Sequence, residues 1–256
     1  MSASDGCQRC RNAPALGFEF SMAFQPIINV HTHEIFAYEA LVRGTQGEGA
    51  GFILAQVDEA NRYQFDQACR VKAIELASTL GMQAKLSINF LPNAVYEPKA
   101  CIRATLAAAE KYAWPLERLI FEITEVEQVR DQGHLARIVN EYRKIGLGTA
   151  IDDFGSGYAG LNLLADFQPD LLKLDMQLIR GLHQDSVRHL LVQHLVEIGR
   201  ALGCQILAEG IETLAEARAL YQLGIHLHQG YWYARPAFET LPEIDPHACK
   251  QVQAVS

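Results

Sequence analysis

Six short apolar runs in this chain each end in, or run into, a carboxylate or an amide. They are Phe36-Ala37-Tyr38-Glu39, Leu86-Ser87-Ile88-Asn89, Ile120-Phe121-Glu122, Thr149-Ala150-Ile151-Asp152-Asp153, Leu171-Leu172-Lys173-Leu174-Asp175 and Ile206-Leu207-Ala208-Glu209. A carboxylate beside a buried apolar run is costly unless it is paired or bound to a cation. Repeated at the ends of successive strands, such residues converge on one mouth. Glu39, Asn89, Glu122, Asp152, Asp153 and Glu209 are hard oxygen donors of the type that magnesium and manganese prefer. The adjacent aspartates suit a paired-ion site, and two ions about 3.5–4 Å apart support in-line attack of an activated water on phosphorus. Lys173, on the next strand, is placed to orient the nucleophile or offset charge on phosphoryl oxygens. Arg43, just beyond Glu39, offers a bidentate fork for phosphate. No nicotinamide, P-loop or pyridoxal signature competes for these residues.

The elements that must position them follow from the periodicity. Residues 18–30 read as β, His31-Thr32-His33-Glu34 as a polar turn, and 35–42 as the returning strand of a hairpin. Residues 52–80 carry a helical pattern, with Phe65, Cys69, Ala73 and Leu76 on one face. Strands near 84–90, 118–124, 147–152, 170–174 and 204–209 then alternate with helices near 98–113, 131–145, 185–202 and 213–223, and 225–233 reads as a last strand. Gly146, Gly148, Gly203 and Gly224 stand where helix C-caps belong. Alternation of this kind, with about eight strands, predicts a closed (β/α)8 TIM-like barrel, the N-terminal hairpin making one strand antiparallel. Catalytic groups of such barrels sit at the C-terminal ends of the strands. The expected organisation is a flexible tail over 1–17, one domain over 18–245 and a C-terminal tail over 246–256.

Composition narrows the function further. The chain has 256 residues, 49% hydrophobic and 20% charged, with a net charge of −8, which argues against a broad footprint on a nucleic acid duplex. Residues 1–12 are polar and show no signal-peptide core, and no apolar run is long enough to span a bilayer, so a cytoplasmic protein without membrane association is expected. Cys69, Cys101 and Cys204 sit in apolar stretches as small hydrophobes. Cys7 and Cys10 form a lone C-x-x-C, and zinc would need two further ligands. His228 abuts Gln229 and is a candidate to tune the site.

These runs carry a resemblance. Glu39-Ala40-Leu41-Val42-Arg43 is similar to the motif that names the EAL family of cyclic di-GMP phosphodiesterases. The likeness continues through Phe24-Gln25-Pro26-Ile27, Asn89, Phe121-Glu122-Ile123-Thr124-Glu125, Asp152-Asp153-Phe154-Gly155-Ser156-Gly157-Tyr158, Lys173-Leu174-Asp175, Ala208-Glu209-Gly210-Ile211-Glu212 and Gln229-Gly230-Tyr231. The resemblance implies two Mg2+ or Mn2+ ions that hydrolyse one phosphodiester of cyclic di-GMP to linear pGpG, lowering the second messenger, with Ca2+ inhibitory. It implies metal ligands at Glu39, Asn89, Glu122, Asp152, Asp153 and Glu209. Catalytic roles fall on Lys173, Glu39, Glu209 and Gln229, the last near the attacking water. Substrate contacts fall on Gln25, Leu41, Arg43, Asp175, Glu212 and Gln229, with Asp175 also a partner for Lys173. Glu125 and Ser156 would anchor the loop, and the helix after it would carry a homodimer contact. Ser156 replaces a usual Thr, Ala159-Gly160 a usual Ser-Ser, and Met176-Gln177 a frequent Arg-Ser; none is a ligand. The alternatives are a receptor that holds cyclic di-GMP without cutting it, an interaction module for another protein, or a different metal-dependent barrel hydrolase such as a glycerophosphodiesterase. The input signal, including any unidentified regulatory protein, is not readable.

Overall fold

The computed structural model describes residues 16–92, 95, 98–124, 132–156 and 160–254. Among the described residues nine strands form one sheet: β1 (Ser21–Asn29), β2 (Glu34–Arg43), β3 (Lys85–Phe90), β4 (Leu119–Thr124), β5 (Gly148–Phe154), β6 (Leu171–Leu174), β7 (Gln205–Ala208), β8 (Leu227–His228) and β9 (Ala237–Phe238). β2 to β8 pair in parallel in chain order, and β1 closes the ring by pairing antiparallel with both β8 and β2. β9 adds outside, on β1. The result is an eight-stranded TIM-like barrel with one reversed strand.

The reversal is built by the β1–β2 turn. Asn29 Oδ1 accepts the N–H groups of His31 and Thr32, and its carbonyl accepts that of His33, which sits at φ 63°. Pairing then runs from Asn29↔Glu34 to Ser21↔Arg43, with a bulge that leaves Phe36 unpaired between Ile35 and Ala37. The bulged Phe36 lines a recess with Lys85, Ile120 and Leu171 at the end of the barrel away from the C-terminal strand ends, with the Lys85 ammonium 4.7 Å over its ring.

The helices are α1 (Ala50–Leu54), α2 (Arg62–Thr79), α3 (Pro98–Cys101), α4 (Arg103–Lys111), α5 (Gln132–Lys144), α6 (Gly160–Asp166), α7 (Met176–Ile179), α8 (Ser186–Leu202), α9 (Leu214–Gln222) and α10 (Pro246–Gln253). The expected single helix over 52–80 is broken into α1 and α2. Asp58 and Asn61 cap one another there: Asp58 Oδ1 accepts from Ala60 and Asn61 N–H, and Asn61 Oδ1 accepts from Asp58 N–H. Residues 98–113 likewise hold two short helices. The expected strand over 225–233 keeps only Leu227 and His228, because the chain turns at Gly230 to Tyr233. Residues 246–253, read from sequence as part of a tail, form α10, started by Asp245 with Pro246 at its first turn and burying Ala248, Cys249 and Val252. α8 begins on Asp185, which accepts from Val187 and Arg188 N–H, and ends at Gly203, φ 75°, in the left-handed conformation that favours glycine.

Two apolar bodies result. The larger lies between strands and helices. The smaller fills the barrel itself with Ile27, Ala37, Ile120, Ala150, Leu171, Leu207 and Leu227. Among the described residues no helix is long and apolar enough to cross a membrane.

Candidate active site

Side chains on a strand return to the same face every second residue. Each residue of the barrel's apolar layer therefore predicts another inward position two residues further toward the mouth. Those positions are Gln25, Glu39, Glu122, Asp152, Lys173, Glu209 and Gln229, and β3 adds Asn89 above Ser87. Seven strands thus carry one layer of Ile, Leu and Ala filling, with Ser87 of β3 at the same level, and above it lies one ring of polar groups.

Lys173 is the hub of the ring and is fully buried. Its Nζ lies 2.8 Å from Glu122 Oε2, 2.8 Å from Asp152 Oδ1, 2.7 Å from Glu209 Oε1 and 3.5 Å from Glu39 Oε2. Burial would lower the lysine's pKa, but Asp152, Glu122, Glu209 and Glu39 outweigh it and lift the value well above the ordinary range. Four carboxylates around one ammonium leave the ring net negative. Burial, then the Glu39 charge, pushes Glu122 well above the usual carboxylate range, and burial likewise raises Glu209. Ser87 Oγ donates to Glu122 Oε1. Glu39 accepts from Asn89 Nδ2 on one oxygen (3.1 Å) and from Gln229 Nε2 on the other (2.8 Å), which ties β2 to β3 and β8.

Asp153 reaches the mouth only because β5 is irregular. Ile151 pairs with Leu172 and Phe154 with Leu174, so Asp152 and Asp153 together stand opposite Lys173. On a regular strand their side chains would point to opposite faces. Asp153 takes φ 53°, a left-handed conformation rare for a residue with a Cβ. Such strain persists where the surroundings enforce it, and it clusters at functional sites. Ser156 donates N–H and Oγ–H to the Asp153 carbonyl and closes the turn. Burial and the neighbouring Asp152 raise Asp153 to about 6.

Two overlapping sets of carboxylates have ligand oxygens within 4.8 Å of one another: Glu39, Glu122 and Asp152, and then Asp152, Asp153 and Glu209. This donor chemistry fits a pair of divalent ions sharing Asp152. In addition, Gln229 Oε1 is buried at the mouth with no protein hydrogen-bond partner, so a water or ligand there would satisfy it.

The mouth opens into a cavity of about 280 Å3, lined by Gln25, Asp175 and Glu212 and, from the ring, by Glu39, Asp152, Glu209 and Gln229. Gln25 Nε2 donates to Ala234 O. Asp175 is not among the ion-pair partners of Lys173 in the described residues; its Oδ1 instead caps α7 by accepting from Gln177 N–H. Glu212 is exposed and paired with Arg180 at 2.8 Å. Leu41 lies off the ring in an apolar recess beside Asn89, and Arg43 donates to Val42 O. Glu125, Cys7 and Cys10 lie outside the described residues. Sequence reasoning missed Met176 and Tyr231, both at the cavity rim; Met176 packs where a Cβ on Gly210 (φ 64°) would lie 2.5 Å from its own Cβ. His228 is buried and uncharged, its pKa pushed down to about 3 by burial; its ring nitrogens meet Tyr233 OH (2.7 Å) and Ile225 O (3.0 Å), so it fixes the strand that presents Gln229.

The fold and the ring define a TIM-like barrel with an acidic, cation-ready mouth. The model of the EAL domain matches residues 8–236, and the chain belongs to that family. It is similar to a standalone versatile EAL protein from Vibrio cholerae O395, solved with c-di-GMP bound, at 54% identity and a TM-score of 0.89, covering 91% of this chain and 99% of that one. It is also similar to Klebsiella pneumoniae BlrP1 in a manganese/cy-diGMP complex (33% identity, TM-score 0.81, 89% of this chain and 58% of that one). Among curated proteins it is 29% identical to the blue light- and temperature-regulated antirepressor BluF of Escherichia coli over 92% of this chain and 58% of that protein. It is 30% identical to the cyclic di-GMP phosphodiesterase PA2567 of Pseudomonas aeruginosa over 90% of this chain and 40% of that protein. The chain thus spans about half the length of these curated relatives.

Proposed function

We propose that this chain hydrolyses one phosphodiester of cyclic di-GMP to linear pGpG with a pair of Mg2+ or Mn2+ ions. The observation that carries the reading is the two carboxylate sets sharing Asp152 at one mouth. Glu39, Asn89, Glu122 and Asp152 would hold one ion, and Asp152, Asp153 and Glu209 the other. When bound, such ions polarise phosphoryl oxygens and acidify a water. The chain's own groups do the rest. Gln229 Oε1 accepts from the attacking water, and Glu39 Oε2 fixes that amide through Nε2. The Lys173 ammonium offsets charge that builds on phosphorus oxygens in the transition state. Gln25, Asp175 and Glu212 line the cavity for the ligand, with Leu41 and Arg43 beside it, while Ser156 keeps the Asp153 turn closed and Glu125 is assigned to the same loop. The relatives solved with cyclic di-GMP support this reading.

Incubation with cyclic di-GMP and Mg2+ or Mn2+, followed by chromatography, tests it. Linear product is the expected result, and the absence of both product and retention overturns the proposal. Retention without product favours the second reading, a cyclic di-GMP receptor or interaction module, to which the likeness to an antirepressor points. The chain is further proposed to be cytoplasmic and homodimeric. Leu161 on α6 and Val187, Leu190 and Leu191 on α8 are exposed apolar residues that a dimer contact would cover, which sedimentation checks. A regulatory protein partner belongs to the same proposal.

A further inference from the structure

Behind the ring, on the side of the sheet that faces α2, lies a buried ion pair that the chemistry above does not use. Arg70 is fully buried, and its Nη2 lies 2.6 Å from Asp66 Oδ2. Arg70 also donates from Nη1 to Thr105 Oγ1 on α4, and its guanidinium stands 5.8 Å from the centre of the Phe121 ring. Phe121 directly precedes Glu122. The second oxygen of Asp66 accepts the N–H of Leu91 at 3.0 Å.

That last bond falls at a particular place. β3 pairs with β4 as far as Phe90↔Ile123, so Leu91 is the first residue past the ladder and its N–H has lost its strand partner. A buried N–H without an acceptor is costly, and here the acceptor comes from a helix. Asn89 sits two residues earlier, and Asp66, Ile88, Asn89 and Leu91 border one recess. A buried pair of this kind adds little stability over well-packed apolar residues, so stability alone does not account for it. What an apolar pair cannot supply is an acceptor aimed at Leu91 N–H, and Arg70 is the counter-charge that holds the Asp66 carboxylate in place, 2.6 Å away.

We infer that Asp66, held by Arg70, is a positioning residue for Asn89: it pins the exit of β3 so that the Asn89 amide is presented to the metal site. This rests on the reading of Asn89 as a metal ligand. Groups that orient a ligand from behind typically change metal affinity 10–100-fold when removed.

The test compares two charge-free double variants by calorimetric titration with Mn2+ alone. Asp66→Asn/Arg70→Met keeps an amide oxygen for Leu91 N–H and is expected to bind Mn2+ within about threefold of the parent. Asp66→Leu/Arg70→Met deletes the acceptor and is expected to bind roughly tenfold more weakly. In an Asn89→Ala background the same acceptor deletion should have no further effect, an outcome that general loosening of the fold would not produce. Equal Mn2+ affinity of the two double variants overturns the inference, as does a full additional loss in the Asn89→Ala background. If Asn89→Ala itself binds Mn2+ like the parent, the ligand assignment of Asn89 is what fails, and the inference falls with it. Should the leucine variant not fold, replacing Leu91 by its α-hydroxy acid removes the same N–H with the ion pair intact; weakened Mn2+ binding supports the inference and unchanged binding overturns it.

Discussion

Replacing Lys173 with methionine keeps the volume of the side chain and removes the one cation at the centre of four carboxylates. In the metal-free protein this leaves Glu122, Asp152 and Glu209, each within 2.8 Å of the lost ammonium, without their counter-charge. Deleting one partner of a buried pair costs about 3–5 kcal/mol. For a chain of this size each kcal/mol moves Tm by roughly 2–4 °C, so the expected drop at neutral pH is about 6–20 °C. The loss has a definite pH dependence. Glu122 and Glu209 have folded pKa values already above their ordinary ones, so their ionisation costs stability as pH rises through those values. In the variant the deficit is therefore largest above that range and shrinks toward acid, where these groups carry protons. The parent shows no such slope from the lysine, whose raised pKa keeps it charged throughout. Mn2+ should restore much of the lost Tm, because a bound cation supplies the missing charge and stabilises by mass action. Turnover should still fall by about 10²–10³, since the transition-state contact is not replaced. Thermal melts at two pH values, with and without saturating Mn2+, check the reasoning. An equal Tm loss at both pH values, unrelieved by Mn2+, would show that Lys173 is there for packing and would refute it.

Four further outcomes are expected. Glu39→Ala or Asp152→Ala should abolish turnover while circular dichroism reports an intact barrel; turnover within about tenfold of the parent with unchanged metal content would remove that residue from the ligand set. Mn2+ affinity should fall as pH drops through about 6, where Asp153 takes up a proton, and Asp153→Asn should flatten that slope in calorimetric titrations. Ca2+ should compete with Mg2+ and inhibit, because its longer bonds and higher coordination number misplace the reacting groups; full activity with Ca2+ alone would count against the proposed geometry. Tyr233→Phe should cost about 1–3 kcal/mol by leaving the buried His228 Nδ1 unpaired, and an unchanged melting temperature would contradict that bond.

The ring was legible from the sequence because strand alternation and burial act together on it. A carboxylate at the end of an apolar run is conspicuous, and repetition along the chain fixes both the barrel and its mouth. Strand positions followed for the same reason, since Gly148, Leu171 and Gln205 begin where apolar pattern replaces helical pattern. What was not legible depends on exchanges between side chain and backbone. The α1–α2 break comes from Asp58 and Asn61 capping one another inside a window whose apolar spacing still reads as one helix. α10 does carry a signal, Asp245 followed by Pro246, which marks a helix start, but it stands in a short terminus whose apolar residues are too few to show a period. The β5 irregularity that turns Asp153 inward follows from neither residue type nor period. Met176, at the start of α7, and Tyr231, in the turn after β8, reach the rim by where the chain turns, which no spacing rule encodes.

The reversed first strand has a consequence for how such a protein can change. β1 meets β8 through two ladder pairs, Ile28↔His228 and Asn29↔Leu227, extended by Val30 N–H to His226 O, and β8 meets β7 through two more, extended by Gln229 N–H to Ala208 O. The barrel therefore has a seam, and the ring is divided by it. Every carboxylate and Lys173 stand on the continuous run from β2 to β7, whereas Gln229, whose free oxygen faces the mouth, hangs on the seam itself. In the proposed function, holding ions and aiming a water thus fall to different parts of the sheet. If the proposed function holds, a substitution that loosens the seam would silence turnover and leave the ion-holding arc intact, so a change from cutting to binding would need no loss of an acidic residue.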